Sequence, residues 1–277
     1  MDDAENLPTM ATAPGTLYAV GVGPGDPELM TLKAVRVLEA CPVIAAVRSE
    51  GGRPRRRDAG QAAAGAATAL DIARGVVDLT DKRIVELTFA MSRDPEVLRA
   101  SHAVAAKAVC AELAAGRDVA MPILGDPSIY ATFHHIKPLM ETAGFRTRVI
   151  PGVPSFCAVA AALGANLTPT MGTPLHVLPT GYVDVRGALG LPGTKVFMKA
   201  GAPLEELRDA LREEGLLDRA GLVQDCGLPT QVVVESLAEL EDEGVNEGEA
   251  EPGGTAEDER HTSQPQLGGY FTTVVVR

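Results

Sequence analysis

Two short turns that are rich in glycine and proline are the residues of this chain best suited to hold a ligand. The first, Gly21–Pro27, follows the apolar run Leu17–Val20, and the second, Gly125-Asp126-Pro127, follows the apolar run Val119–Leu124. Glycine lets the backbone come close to a bound molecule, and open α/β sheets bind their ligands where strands end. Because a helical pattern follows each turn, we predict that both join a strand to a helix and face one ligand cleft.

Four polar side chains in or near these turns are candidates for a chemical role. Asp126 suits a cationic or hydroxyl-rich ligand, although aspartate is equally at home as a simple turn former. Asp26 lies in the first turn. His134 and His135 are adjacent, so on a helix their side chains point about 100° apart and are poorly placed to share a metal. We interpret these histidines as structural, with contact to a carboxylate of the ligand as the alternative for His134.

The usual catalytic motifs are missing from the sequence. The first turn is not the dinucleotide fingerprint, because Pro24 and Asp26 replace residues that would open a helix on a pyrophosphate, and Asp26 would repel that group. There is also no Walker lysine motif, no HExxH and no GxSxG. We therefore predict a binding cleft without a protein-bound metal.

Charge is concentrated in two segments. Five arginines lie between Arg48 and Arg57, which predicts a flexible loop at about 49–60. That loop is either a surface insertion or a mobile guanidinium patch for a polyanionic small molecule. Residues 241–260 hold nine Asp or Glu and one Arg, so they contribute −8 to the net charge of −12 and leave −4 for the rest. We predict a disordered acidic insertion at about 241–266, and the acidity of the remainder argues against nucleic-acid binding.

Composition sets the outer limits. A chain of 277 residues with 45% hydrophobic and 22% charged residues is typical of a soluble protein with one large or two medium domains. It lacks a run of about 18 apolar residues and begins with acidic residues, which predicts a cytoplasmic protein without a membrane partner. Four scattered cysteines (Cys41, Cys110, Cys157 and Cys226) show no metal-ligand spacing and are predicted to be reduced and mostly buried.

The first half of the chain alternates strands and helices, which is typical of a largely parallel sheet. Its predicted strands are Leu17–Val22, Val43–Val47, Arg83–Leu87, Asp118–Leu124 and Thr147–Ile150. Its predicted helices are Thr31–Ala40, Gln61–Gly75, Pro95–Ala115 and Ile129–Ala143, with Gly144 after the last of them. After a flexible tail at 1–14, this pattern predicts an N-terminal α/β domain at 15–152.

The second half predicts a mixed α/β domain at 153–277 with more hairpin character. After a helix at Ser155–Leu163, the predicted strands are Leu175–Leu178, Thr194–Met198, Gly221–Gln224, Gln231–Glu235 and Phe271–Val276. One clear helix, Pro203–Gly215, lies among them. The boundary is placed near Pro151–Pro154, where two prolines and a glycine stop regular structure, and the cleft is expected between the two halves.

Three segments, in this order, make the chain resemble the tetrapyrrole methylases, which are S-adenosylmethionine-dependent enzymes. They are Leu17–Ala34 with its Gly-Val-Gly-Pro-Gly-Asp-Pro turn, Leu124–Tyr130 (Leu-Gly-Asp-Pro-Ser-Ile-Tyr) and Ile150–Phe156 (Ile-Pro-Gly-Val-Pro-Ser-Phe). Val85–Met91, Val196–Lys199 and Gly269–Val276 support the resemblance, which covers nearly all of 16–277 except the arginine loop and the acidic insertion. It resembles most the branch that methylates C20 of precorrin-2 or of cobalt-factor II.

The resemblance implies two α/β domains in a homodimer, with S-adenosylmethionine between the domains. It implies donor contacts at eight residues: Gly125, Asp126, Ile129, Ser155, Phe156, Met198, Cys226 and Tyr270. The first turn, with Gly23, Pro24 and Gly25, would lie on the tetrapyrrole side. The arginine loop departs from the family, and its charge alone leads to the hypothesis that Arg55 meets the carboxylates of the substrate. Pro154 departs from the family, where this position is usually small and hydroxylated.

Methyl transfer from a sulfonium to a nucleophilic carbon needs alignment more than acid or base catalysis, which explains the lack of a triad. A proton must also leave C20, and Asp26 and His134 are our candidate acceptors. Two alternatives stay open. One is another methylation within the superfamily, such as uroporphyrinogen III C1/C7, precorrin-3B C17 or an rRNA 2′-hydroxyl, the last disfavoured by low basicity. The other is a non-catalytic module that binds the donor or a nucleotide.

Overall fold

A run of buried apolar residues near the start of the described residues forms an interior strand of the first sheet. The computed structural model describes residues 13–49, 68–90, 92, 94–242, 267–269 and 271–277. The chain divides into two units, Met1–Ser155 and Phe156–Arg277, so the division lies three residues after the predicted boundary. The arginine loop from 50 onward, most of the acidic insertion, Arg55 and Tyr270 lie outside the described residues.

The first unit is a five-stranded parallel sheet with helices between its strands. Its strands are β1 (Thr16–Gly21), β2 (Val43–Ser49), β3 (Arg83–Phe89), β4 (Val119–Ile123) and β5 (Arg146–Ile150). Its helices are α1 (Leu32–Ala40), α2 (Ala69–Arg74), α3 (Pro95–Ala114) and α4 (Phe133–Thr142). Alternate residues of β1 enter two separate apolar clusters, with Leu17 and Ala19 in one and Val20 in the other, so both faces of the strand are buried.

The strand order β3-β2-β4-β1-β5 decides which strand ends are neighbours. β1 lies between β4 and β5, with Gly21 opposite Ile123 and Val20 opposite Ile150. Because all three strands are parallel, their carboxyl ends meet at one edge of the sheet. The segments that follow them are the two glycine turns and the Pro151–Ser155 segment.

Helix boundaries in the first unit follow local capping. The Thr31 side chain accepts a hydrogen bond from the N–H of Ala34 and so begins α1. Thr68 and Asp71 form a capping box that begins α2. The predicted start of α4 at Ile129 is wrong: the chain turns through Tyr130, whose φ is 48°, and α4 begins at Phe133. Gly144 follows the end of α4, as the sequence predicted, and adopts a left-handed conformation with a φ of 83°.

The second unit is a mixed sheet in the order β6-β7-β10-β8-β9. Its strands are β6 (Leu175–Pro179), β7 (Thr194–Met198), β8 (Ala220–Gln224), β9 (Val232–Val234) and β10 (Thr272–Val276). Its helices are α5 (Ser155–Ala162), which begins at the last residue of the first unit, α6 (Val185–Leu189), α7 (Leu204–Glu213) and α8 (Glu239–Asp242). The sequence pattern missed α6 and α8, which have only five and four residues. The predicted fold class, two α/β domains with a parallel and a mixed sheet, is confirmed.

The four cysteines are free, and two of them, Cys41 and Cys226, are buried. Burial is the main reason that the pKa of Cys41 rises to about 12, and the negative charge of Asp118 adds to it. Cys157 is exposed, so the expectation of mostly buried cysteines fails for this residue. Within the described ranges, no helix combines the length and the apolar character that a membrane crossing requires.

Candidate functional site

The two glycine turns are in direct contact at the carboxyl edge of the parallel sheet. The N–H of Gly125 donates to the carbonyl oxygen of Gly23 over 2.8 Å, and the N–H of Gly23 faces the oxygen of Gly125 at 3.4 Å. Both residues have positive φ, at 79° for Gly23 and 68° for Gly125, a backbone conformation that glycine adopts without strain. The structure thus brings the two turns together within the first unit, while a ligand cleft that both turns face stays a prediction.

A third segment, Pro151–Ser155, which the sequence marked as a domain boundary and as part of a family motif, packs against both turns. A Cβ atom on Gly152 would lie 2.2 Å from the carbonyl oxygen of Gly125 and 2.9 Å from Cα of Gly21. A Cβ atom on Gly21 would lie 2.6 Å from the nitrogen of Gly152. These contacts are between backbones, so no side chain can move aside to make room. Sequence reasoning missed Gly152 as a packing residue; the available signal was a glycine directly after a strand.

Asp126 connects the second turn to this third segment. Its Oδ1 accepts hydrogen bonds from the N–H of Ser128 over 2.8 Å and from the Ser128 hydroxyl. Its Oδ2 accepts the N–H of Gly152 over 2.9 Å. Partial burial alone would raise the pKa of Asp126, but the bonds from the Ser128 hydroxyl, Gly152 and Ser128 together outweigh it, so the pKa lies below its ordinary value.

The candidate substrate side of the site is the first turn. Gly23 and Gly25 are buried, and Pro24 is half-buried. Asp26 is also half-buried, and its Oδ1 accepts the N–H of Glu28 over 2.8 Å, which caps a short 3₁₀ helix at Pro27–Leu29. The structure therefore gives Asp26 a capping role, while proton transfer by its carboxylate stays a prediction.

His134 is exposed at the start of α4 and points back to the second turn. Its Nε2 lies 2.9 Å from the carbonyl oxygen of Pro127. Since a carbonyl oxygen only accepts hydrogen bonds, Nε2 is the donor, and Nδ1 is the nitrogen left to accept a proton. His135 stacks on His102, with ring centroids 4.7 Å apart and an angle of 3° between the rings. That contact agrees with the structural reading of the histidine pair.

In the second unit, three residues that are predicted to contact the donor belong to one apolar cluster or pack against it. Cys226 is buried in it, and the half-buried side chains of Phe156 and Met198 pack against it. Burial raises the pKa of the Cys226 thiol above its ordinary value. Ile129 and Ser155, the remaining described candidates, are half-buried in the first unit. Donor binding by these five side chains stays a prediction.

The carboxyl ends of β7 and β8 lie on either side of the start of β10. The Thr180 hydroxyl donates to the carbonyl oxygen of Met198 over 2.8 Å, and Lys199 follows with a φ of 58°. Asp225 follows β8 with a φ of 52°. Strained residues of this kind persist only where the surrounding structure holds them, and they are common at ligand sites.

Gln224, at the end of β8, is a residue that sequence reasoning missed. Its Oε1 accepts the N–H groups of Gly268 and Gly269 over 3.0 Å and 3.1 Å. Gly269 in turn lies against Gly201, where a Cβ atom would be 2.1 Å from the carbonyl oxygen of Gly269. The side-chain amide thus ties the segment before β10 to the end of β8, although the two are more than 40 positions apart in the chain.

Metal ligands are not assembled anywhere in the part of the chain that the structure describes, where no group of three or more His, Cys, Asp or Glu is placed to hold an ion. The described residues offer other features instead. In the first unit, the backbones of the two glycine turns and of the Pro151–Ser155 segment are in contact, and in the second unit the apolar side chains of Phe156 and Met198 are half-buried. Such surroundings suit an organic ligand with an apolar part and a few polar groups.

The sequence profile of the Tetrapyrrole (Corrin/Porphyrin) Methylases matches residues 16–241. A "Precorrin-2 C(20)-methyltransferase" from a Sinorhizobium species is 32% identical, over 83% of this chain and 91% of the relative. A "Cobalamin biosynthesis protein CobIJ" from Mycobacterium tuberculosis is 30% identical, over 80% of this chain but 43% of the relative, so the chain spans less than half of that protein. A "Precorrin-4 C(11)-methyltransferase" from Rhodococcus erythropolis is 29% identical, over 84% of this chain and 81% of the relative.

Among solved structures, a uroporphyrin-III C-methyltransferase from Thermus thermophilus, described as complexed with S-adenyl homocysteine, has a TM-score of 0.58. The match covers 95% of this chain and 98% of that chain at 21% identity, so the likeness is one of fold.

Proposed function

Because the chain belongs to the tetrapyrrole (corrin/porphyrin) methylases, as its resemblance predicted, we propose that it methylates C20 of precorrin-2 or cobalt-factor II in cobalamin biosynthesis. S-adenosylmethionine is the proposed donor. The observation that carries the choice of C20 is the match to a precorrin-2 C(20)-methyltransferase over most of both chains. In the reaction, the bond between the donor's sulfur and its methyl carbon breaks, a bond from that carbon to C20 forms, and a proton leaves C20.

The described residues fit such a donor. The second turn and the Pro151–Ser155 segment lie together at the carboxyl edge of the sheet, because Gly125 and Gly152 have no side chains to keep the two backbones apart. Phe156 and Met198 offer half-buried apolar surface for an adenine ring. When bound, the donor supplies the electrophilic methyl group. The task of these residues is to orient it and to exclude water, and alignment of this kind contributes about 7–11 kcal/mol in well-oriented reactions.

The proton from C20 needs an acceptor, for which Asp26 and the Nδ1 atom of His134 are our candidates. Replacement of Asp26 by Asn, or of His134 by Ala, tests each one. A loss of turnover with unchanged donor binding would support the residue, and unchanged turnover would remove it. Because both side chains also hold a turn, the melting temperature of each variant has to be measured alongside.

The test of the reaction is an anaerobic single-turnover assay with methyl-labelled S-adenosylmethionine. Precorrin-2 and cobalt-factor II are offered in parallel, uroporphyrinogen III and precorrin-4 serve as competing acceptors, and NMR locates the label. We expect label at C20 of one of the first two compounds. Label at another carbon, or on another acceptor, would contradict the proposed regiochemistry but keep the enzyme class. Donor binding without transfer to any acceptor would indicate a non-catalytic module.

A different regiochemistry is the second candidate. It is favoured by the precorrin-4 C(11)-methyltransferase, whose identity to this chain is only slightly lower. The homodimer that the resemblance implies also remains a proposal, and the molar mass in solution tests it.

A further inference from the structure

We propose that Asp126 is a positioning residue for the methyl donor: its carboxylate holds the Pro151–Ser155 segment against the second glycine turn and acts on the donor only through that segment. The inference rests on the proposed function. It gives Asp126 a role different from the direct donor contact that the family resemblance implies.

The first argument compares four aspartates with the same local geometry. Asp26, Asp78, Asp94 and Asp126 each accept the N–H of the residue two positions ahead through Oδ1, over 2.8–2.9 Å. One oxygen is therefore enough to form the local turn. Of these four described aspartates, Asp126 alone uses its second oxygen for a remote partner, the N–H of Gly152, 26 positions away. The turn itself does not require that bond.

The second argument is that the contact leaves no room for adjustment. The backbone of Gly152 is packed against the carbonyl of Gly125 and the Cα of Gly21 so closely that a Cβ atom would overlap both. The bond from Asp126 thus fixes a segment that is already restricted on two sides. Ser155, a predicted donor contact, lies three residues beyond Gly152, so a shift of Gly152 is passed to it through a short stretch of backbone.

The third argument concerns the capacity of the carboxylate. An ionised carboxylate offers about four lone-pair sites, and the protein occupies three of those on Asp126. The hydrogen bonds also favour its ionised form, which makes it a weak proton acceptor. A group held in this way is suited to fix a backbone position, and poorly suited to take a proton from the substrate.

The experiment combines hydrogen exchange with binding of S-adenosylhomocysteine, the donor without its methyl group. The variants are Asp126→Ala, Asp126→Asn and the matched control Asp78→Ala, which removes a similar local turn without a remote bond. In the ligand-free Asp126→Ala variant, we expect amide hydrogen exchange in residues 151–155 to be about tenfold faster or more. We also expect the affinity of this variant for S-adenosylhomocysteine to fall about tenfold. Asp126→Asn should show smaller changes in both, because its amide oxygen can still accept the Gly152 N–H. Asp78→Ala should change neither.

A second ligand separates positioning from direct contact. The compound 5′-methylthioadenosine lacks the amino-acid part of S-adenosylhomocysteine. Because positioning acts on the whole site, Asp126→Ala should lower the affinity for both compounds by a similar factor. Reduced affinity with unchanged exchange in 151–155, or a loss confined to S-adenosylhomocysteine, would make Asp126 a direct ligand and overturn the proposal. If faster exchange left the affinity unchanged, the positioning role would also be wrong. A wild-type protein that binds neither compound would instead refute the proposed function, and the exchange data on the free protein would still show whether the Asp126 bond holds the segment.

Discussion

In both units, a side chain at the carboxyl end of a strand accepts hydrogen bonds from a distant part of the backbone. We call Asp126 the carboxylate clamp and Gln224 the amide clamp. In the first unit, the carboxylate of Asp126 accepts the remote N–H of Gly152; in the second, the neutral amide of Gln224 accepts the remote N–H groups of Gly268 and Gly269. In both, a side-chain oxygen at or just past a strand end replaces the backbone partner that a turn lacks. In each unit one side chain therefore adds a remote hydrogen bond to the backbone contacts of the turn, and of the two only the carboxylate of Asp126 can respond to pH.

The largest expected effect is on the free energy of unfolding, when a glycine that packs beside one of the two clamps is replaced. Gly152→Ala should lower the free energy of unfolding by about 3 kcal/mol, because its Cβ would overlap the backbone of two strand ends. Gly201→Ala meets the carbonyls of Gly268 and Gly269, which belong to a segment at the start of one strand, and should cost about 1–2 kcal/mol. Urea unfolding measures both.

The control for these two variants is Gly172→Ala, a position with no atom within 4 Å of the added Cβ, where we expect a change within about 0.5 kcal/mol. If Gly152→Ala and Gly201→Ala were as mild as the control, the close backbone packing at both edges would be wrong. Exchange measured peptide by peptide would show whether each loss is confined to its own unit.

An intermediate effect is expected at the amide clamp. Gln224→Ala leaves two N–H groups without their acceptor and should cost about 1–2 kcal/mol, whereas Gln224→Glu keeps an accepting oxygen and should cost less. Cys226 follows Gln224 by two positions, and its free thiol is buried. If Gln224→Ala loosens the turn, this thiol should react faster with a labelling reagent than it does in the wild type.

The control for Gln224→Ala is Asn166→Ala, which removes a side-chain oxygen that accepts the N–H of Thr168, two positions ahead and outside the turn of Cys226. We expect it to leave the labelling rate of Cys226 closer to that of the wild type. Equal labelling rates in Gln224→Ala and the wild type would show that Gln224 does not hold this turn.

The smallest effect is the pH dependence that distinguishes the two clamps. A carboxyl group whose pKa is lower in the folded chain than in the unfolded chain stabilises the fold when the pH is above its unfolded-state pKa. That stabilisation is lost as the pH falls through its folded-state pKa. The pKa of Asp126 is lowered from 3.8, so the stability difference between wild type and Asp126→Asn should shrink as pH falls below about 3.8. The difference between wild type and Gln224→Ala should show no such dependence, because an amide does not titrate. Parallel curves for both variants would exclude a special role for the charge of Asp126.

Much of this architecture could be predicted because it depends on short-range patterns. Apolar runs placed β1 and β4 within one residue of their observed ends, and Thr31 and Gly144 act as the caps that their residue types favour. The prediction failed where a local pattern competed with a specific turn. The apolar and helical residues after Ile129 favoured an early helix, but Asp126 and the left-handed Tyr130 extend the turn to Phe133.

The sequence by itself determined the two sheets, the two glycine turns and the family, because burial periodicity, turn chemistry and ordered motifs are all written along the chain. Only the tertiary structure decided that β1 lies between β4 and β5, and hence that Gly21, Gly125 and Gly152 share one contact. It likewise decided that Asp126 reaches Gly152 and that Gln224 reaches Gly268. Those partners are between 26 and more than 100 positions apart, and no local pattern encodes which distant backbone a strand order will bring within hydrogen-bond distance.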